Sequence, residues 1–303
     1  MKDFKGRTAV LTGAGSGFGL ECARICAARG MNLVLVDVQD DALNRTVTEL
    51  RPQIETQGGN LLARCVDVSE AAAMQALAED VRNTFGAPHF VFNNAGVCVG
   101  GLVWETTPTE WAWVMGVNLM GVVHGVHYFT PMMLEAAKMD SSWNGHIVNT
   151  ASMAGLLATP NMGIYNVSKH AVVALTETLY QDLKLVSDQI NVSVLCPYSV
   201  STGISANELI RPQELAGQQP TASQIIGETM LKKAVQSGKV TAVEIAQKVF
   251  DALESGQFYI YSHPHALGAV QARLEDVMLA RNPSDPFSDK PELGEQLRTQ
   301  LRK

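Results

Sequence analysis

A chain of 303 residues permits one large α/β domain or two small ones, and its 46% hydrophobic content is ample for a buried core. The formal net charge of -7 offers no basic footprint for nucleic acid or an anionic membrane surface. That excludes the common polyanion-binding classes and leaves chemistry on small molecules. Five scattered cysteines, mostly inside apolar segments, suit reduced thiols in a cytoplasmic protein.

In chain order, the opening Met-Lys-Asp-Phe-Lys-Gly-Arg has no apolar h-region, so no secretory signal is expected. Thr8 to Thr12 reads as a short apolar strand, followed by a glycine turn from Gly13 to Gly19 and a helical pattern through Arg29. Asn32 to Asp37 is a second strand, Asp41 to Gln57 a polar helix, and Leu61 to Val68 a third strand containing Asp67. After another helix, Phe90 to Gly96 makes a fourth. Trp111 to Leu134 carries no charged residue and is long enough to suggest a membrane span. Its Asn118, His124, His127, three glycines and Pro131 argue instead for a helix buried in the core and against a partner subunit. His124 and His127 have no carboxylate or cysteine cluster beside them, so no metal site is expected. Gly145 to Ser152 is strand-like, a helix follows Tyr165, and Ile190 to Cys196 is a further strand.

From about 201 to 238 the pattern loosens around Pro212, Pro220 and a helical piece at Ile225 to Val235, as a substrate lid would. Gln257 to Ser262 reads as a last strand and Leu267 to Ala280 as a helix. A tail containing Pro, Asp and Ser runs from Asn282 to Lys303. Near-continuous apolar strands alternating with helices predict a doubly wound α/β fold, a mostly parallel sheet with right-handed crossovers.

The chemistry concentrates between Ser152 and Lys169. Tyr165 and Lys169 stand four apart at the start of an apolar helical run, so a helix stacks them on one face. An ammonium beside a phenol favours the phenolate, lowering a pKa of about 10 toward the working range. Ser152 closes a strand, and its hydroxyl at a carboxyl end is placed to hydrogen-bond a substrate oxygen. In the glycine turn, Gly13 permits the tight bend, Gly17 lets a pyrophosphate approach helix N–H groups, and Gly19 lets helix pack on strand. Asp37, ending the second strand, is placed to accept hydrogen bonds from an adenosine ribose. It would repel a ribose 2′-phosphate, which favours NAD(H) over NADP(H).

These residues together resemble the short-chain dehydrogenase/reductase family over about residues 5 to 262. Thr12-Gly-Ala-Gly-Ser-Gly-Phe-Gly19 is similar to the family's cofactor turn, so Ser16 and Phe18 join Gly13, Gly17 and Gly19 as expected cofactor contacts. Asp67 with Val68 matches its adenine contact, and Asn93-Asn94-Ala95-Gly96 its Asn-Asn-Ala-Gly motif. Asn118, Ser152, Tyr165 and Lys169 match its catalytic tetrad.

The resemblance implies a Rossmann sheet of about seven strands in the order 3-2-1-4-5-6-7 with helices on both faces. One dehydrogenase domain would span 1–262, including the lid, with a helical extension and tail over 263–303. Tyr165 would exchange the proton, Ser152 hold the substrate oxygen, and Lys169 bind the nicotinamide ribose and lower the Tyr165 pKa. Asn118 would hold a water in a proton relay. Pro197, Val200 and Thr202 match positions touching nicotinamide and phosphate. Tyr198 departs from the family's usual glycine and puts a phenol near the pocket mouth.

Cys98, Met153, Ala154, Thr159, Met162, Tyr198 and the lid are the candidates to line a substrate pocket. They are mostly apolar and bring no cation beyond Lys169, which predicts a neutral, bulky, hydrophobic or aromatic secondary alcohol or ketone. The C-terminal helix and the Tyr-Ile-Tyr-Ser-His-Pro segment are similar to those of bacterial short-chain dehydrogenases acting on benzylic alcohols of lignin-type aryl ethers. Two other readings compete: a dinucleotide sensor without turnover, which has no need of all four tetrad residues, and an NADP(H)-dependent ketoreductase, which Asp37 opposes. The family's habit implies a homodimer or homotetramer.

Overall fold

The computed structural model describes residues 1–200, 210–215 and 219–302. Among them seven strands form one parallel sheet: β1 (Thr8–Thr12), β2 (Asn32–Asp37), β3 (Leu61–Cys65), β4 (Phe90–Asn93), β5 (Gly145–Thr150), β6 (Ile190–Cys196) and β7 (Tyr259–Tyr261). Their order is β3-β2-β1-β4-β5-β6-β7, as the resemblance implies. Side chains alternate across the pleat. Leu11, Leu33, Leu35, Phe90 and Phe92 face one layer, while Val10, Val34, Val91 and Ile147 face the other.

The Leu/Phe face is covered by α1 (Gly17–Ala28) and α2 (Asp40–Thr56), the Val face by α3 (Ala71–Phe85). β1 pairs with both β2 and β4, so the chain reverses its direction of winding there. Carboxyl ends of strands at such a reversal leave a crevice that no crossover fills.

The uncharged run is not one helix. α4 (Pro108–Met115) passes through a π-helical turn, Gly116–Met120, into α5 (Gly121–Met139). The π turn carries Asn118 into the interior, where it is fully buried. No helix among the described residues is long and apolar enough to cross a membrane. His124 is buried and bonds the carbonyl of Val68 through Nδ1 at 2.8 Å.

Several other expectations are corrected. β3 ends at Cys65 rather than Val68, because the Asp67 carboxylate turns the chain by accepting from Ser69 N at 2.9 Å and Ser69 Oγ at 2.7 Å. After α6 (Gly163–Val186) and α7 (Ala222–Ser237) comes an unforeseen helix, α8 (Ala242–Ser255). Thr241 and Glu244 cap it reciprocally, and Ile245, Val249, Phe250 and Leu253 bury its inner face. Beyond α9 (Leu267–Met278), the tail forms α10 (Pro291–Leu301), with proline in the first turn where its missing N–H costs nothing. Leu267 and Val270 pack beside Tyr259 and Tyr261, so the extension lies on the edge of the sheet domain.

Candidate active site

The glycine turn joins β1 to α1 at the crevice. Gly13 and Gly17 have φ of +66° and +54°, the left-handed region that L side chains avoid. A Cβ on Gly19 would stand 2.1 Å from the Gly13 carbonyl oxygen, so α1 can approach the turn only with glycine there. The turn is braced by Asp37, whose Oδ2 accepts from Gly15 N at 2.8 Å and Oδ1 from Gln39 N at 3.0 Å. Each oxygen keeps a lone pair for a further donor.

On the opposite wall Thr12 Oγ1 accepts from Asn94 N at 2.8 Å and Ala95 N at 3.1 Å, while Asn94 Nδ2 donates to the Thr12 carbonyl at 3.0 Å. Thr150 Oγ1 donates to Asn94 Oδ1 at 3.3 Å. Residues 94–96 are thereby pinned across the ends of β1, β4 and β5. Asn93 points the other way and donates to Asn149 in the core at 2.9 Å.

Tyr165 and Lys169 lie one above the other in the first turns of α6, with Nζ 5.7 Å from the ring centroid. Lys169 is buried and donates to the Thr150 carbonyl at 2.9 Å. Burial lowers its pKa to about 8, against which the thiols Cys98 and Cys196 work weakly. The phenol behaves oppositely to expectation. Burial, then Cys98, pushes the Tyr165 pKa up, and a hydrogen bond with Ser152 only partly offsets this. The ammonium donates to the Thr150 carbonyl and stands 5.7 Å from the ring centroid, and desolvation of the buried phenol dominates.

Ser152 Oγ accepts from Ala154 N at 3.1 Å and donates to the Pro197 carbonyl at 3.3 Å. Asn118 is a clamp. Its Oδ1 accepts from Val97 N at 2.8 Å, and its Nδ2 donates to Val97 O at 2.9 Å and Ser168 Oγ at 3.0 Å. With the amide so engaged, its side chain fixes the loop after Gly96 against α6.

One cleft of about 1160 Å³, counted with its open mouth, joins these features. It is lined by Gly13, Ser16, Gly17 and Phe18 from the turn, by Asp37, Asp67 and Val68, by Asn94, Ala95 and Gly96, and by Tyr165, Lys169 and Pro197. Gly19, Asn118, Ser152 and Val200 are not on the wall, although Thr150 and Ala151, which precede Ser152, are. Gly19 packs the helix, and Val200 is buried in the core beside α8. Thr202 lies outside the described residues.

The substrate candidates are not on this wall. Met153 is buried among Ala151, Val122 and Val172, and Cys98 is buried beside Lys169. Thr159 and Met162 are half-buried away from it, and Tyr198 is 54% exposed with its ring edge-on to His263 at 5.8 Å. The walls beyond Tyr165 are Val97, Trp113, Val117 and Ile210, all missed from sequence because α4 and the segment before α7 come together only in the fold.

The family model described as short chain dehydrogenase matches residues 7–212. The chain belongs to that family and is an oxidoreductase built to bind a nicotinamide dinucleotide. It is 33% identical over 282 residues to "CLA biosynthesis dehydrogenase/reductase" of Lactiplantibacillus plantarum, covering 92% of this chain and 95% of that protein. To "C alpha-dehydrogenase" of Sphingobium sp. it is 28% identical over 291 residues, covering 94% and 90%. A short chain dehydrogenase/reductase of Burkholderia phymatum, solved in complex with NAD, is 49% identical, superposes with a TM-score of 0.89, and is covered over 100% of its length by 95% of this chain.

Proposed function

We propose that the protein interconverts a neutral, bulky, hydrophobic secondary alcohol and its ketone, with NAD(H) as cofactor and Tyr165 as the acid/base. The observation that carries this is that Tyr165 and Lys169 line the same cleft as Asp37 and the Gly13–Gly17 turn. Cofactor and proton-transfer groups therefore meet in one space.

The walls fit a dinucleotide. The left-handed glycines bare backbone N–H groups at the start of α1, and Asp37 keeps acceptor capacity for ribose hydroxyls. Lys169 is the only cation lining the cleft among the described residues. Among the described residues no guanidinium or second ammonium lines the cleft for a 2′-phosphate, which supports NAD(H) over NADP(H). Two protons on its Nζ are left after the bond to Thr150 and would hold the nicotinamide ribose.

Bound nicotinamide supplies or accepts the hydride at the substrate carbon. In ketone reduction Tyr165, kept protonated by burial, donates its phenol proton to the carbonyl oxygen; in oxidation it takes the proton back. Ser152 holds that oxygen at the end of β5. Val97, Trp113, Val117 and Ile210 exclude water and receive the apolar body of the substrate. The names of the L. plantarum and Sphingobium relatives, a dehydrogenase/reductase and a dehydrogenase, agree with redox chemistry of this kind.

Met120, exposed at the end of the π turn just before α5, and Val167, exposed on α6, support a homodimer or homotetramer through these helices.

The test is absorbance-monitored reduction of NAD+ and NADP+ over aryl and alicyclic secondary alcohols, with the matching ketones and NADH or NADPH in reverse. Turnover with NAD+ on a bulky neutral alcohol is expected. NADH binding without turnover on either panel would instead mark a dinucleotide sensor, and preferential turnover with NADP+ would overturn the cofactor assignment.

A further inference from the structure

Outside the cofactor cleft, Glu110 is a carboxylate only 1% exposed in the first turn of α4, and several hydrogen bonds converge on it. It closes the capping box of α4, accepting at Oε2 from Thr107 N at 2.9 Å and Thr107 Oγ1 at 3.1 Å. It also accepts from two groups distant in sequence. Arg211 Nη2 reaches Oε1 at 3.0 Å, and Gln224 Nε2 lies 3.0 and 3.1 Å from its two oxygens. Gln224 is itself the closing residue of the α7 capping box, its Oε1 accepting from Thr221 N at 2.9 Å. Two helix starts are thus joined through one buried carboxylate.

The same turn of α7 is gripped from other sides. Ser223 Oγ donates to Glu105 at 2.6 Å, and Asn161, with φ of +63°, donates to the Ser223 carbonyl at 2.9 Å. Gly227 and Gly100 approach so closely that a Cβ on either would come within 2.9 Å of the other's Cα. One residue before Arg211, Ile210 packs with Val97, Trp113 and Val117 and shares the cleft wall with them.

We infer that Glu110 and Arg211 are positioning residues for substrate selection: the ion pair between the buried Glu110 carboxylate and the partly exposed Arg211 guanidinium fixes Ile210 as the wall against which the apolar body of the substrate packs. This rests on the substrate reading above. Neither residue lines the cleft, so each acts through Ile210.

The test combines kinetics and hydrogen exchange on the full-length protein. Arg211→Ala should raise KM about tenfold for the secondary alcohol that the wild type oxidises fastest, the range of a weakened apolar contact, with kcat and the KM for NAD+ within about twofold. Arg211→Lys should recover most of the loss. In an Ile210→Ala background the effect of Arg211→Ala on KM should shrink to within about twofold, since the wall it holds is gone. The full penalty persisting there, or a loss of kcat or a rise in the NAD+ KM beyond twofold accompanying it, would overturn the assignment.

Exchange reads the junction without turnover. Peptides over 210–215 and 221–228 should exchange at least about tenfold faster in Arg211→Ala, with α3 unchanged. Unchanged exchange in those peptides refutes the junction. Absence of wild-type turnover on every alcohol and ketone, with the exchange difference present, refutes only the reaction reading.

Discussion

Replacing Asp37 by Asn separates the bracing role of the carboxylate from the cofactor discrimination proposed for it. It braces the turn through Gly15 N and Gln39 N, one to each oxygen. Asn offers a single oxygen, so one of these N–H groups would face an NH2 instead. A buried donor left without an acceptor costs about 1–3 kcal/mol, which for a chain of this size lowers Tm by several degrees, at about 2–4 °C per kcal/mol.

The second role is electrostatic. Asp37 is 8% exposed and lines the cleft. At about 4 Å and an effective dielectric near 20, one negative charge repels another by about 4 kcal/mol before screening. At about 1.4 kcal/mol per tenfold, even half of that is more than a decade. The ratio of kcat/KM for NADP+ to that for NAD+ should therefore rise about a hundredfold in Asp37→Asn, measured with one alcohol at fixed ionic strength. A variant that melts earlier while its cofactor ratio stays at the wild-type value would show that the carboxylate only braces the turn.

Gly19→Ala would press a methyl against the Gly13 carbonyl, 2.1 Å away. Backbone cannot yield as a side chain tip can, so destabilisation at or above the usual 1–3 kcal/mol of overpacking is expected, together with weakened NADH binding by fluorescence titration. Lys169→Met tests the buried ammonium. The pKa near 8 lies below the ordinary lysine value of 10.5. Lysine is protonated in both folded and unfolded chains below about 8, and the unfolded chain binds more protons between the two values. Wild-type stability relative to Lys169→Met should thus rise with pH across that window, by up to about 1.4 kcal/mol per unit in denaturant titrations. A flat or falling difference would contradict the burial of a charged Lys169.

Much of this architecture was legible because its signals are local. Alternating Leu/Phe and Val along β1, β2 and β4 marks a sheet covered on both faces, and the glycines of the first turn announce a backbone that side chains cannot follow. Tyr165 and Lys169 needed only the helical repeat. What could not be read was which way a residue points once a segment turns irregular. Met153 follows Ser152 directly yet faces the core, and Tyr198 follows Pro197 yet faces solvent. The electrostatic expectation for Tyr165 failed for a related reason: spacing brings the ammonium near the ring, but only the fold reveals that burial outweighs it. The Thr107-x-x-Glu110 and Thr221-x-x-Gln224 signatures are visible as helix starts. That the two starts share one carboxylate depends on elements more than a hundred residues apart.

The central claim is that Tyr165 moves the proton, and Tyr165→Phe tests it most directly because it removes one hydroxyl and keeps the ring that lines the cleft. Steady-state turnover with NAD+ and the best alcohol, beside NADH affinity by fluorescence, gives both quantities from one preparation. The account predicts turnover reduced about 10²- to 10⁴-fold with NADH affinity within a few-fold. Turnover within a few-fold of wild type would remove Tyr165 from the chemistry and assign the proton transfer to another group.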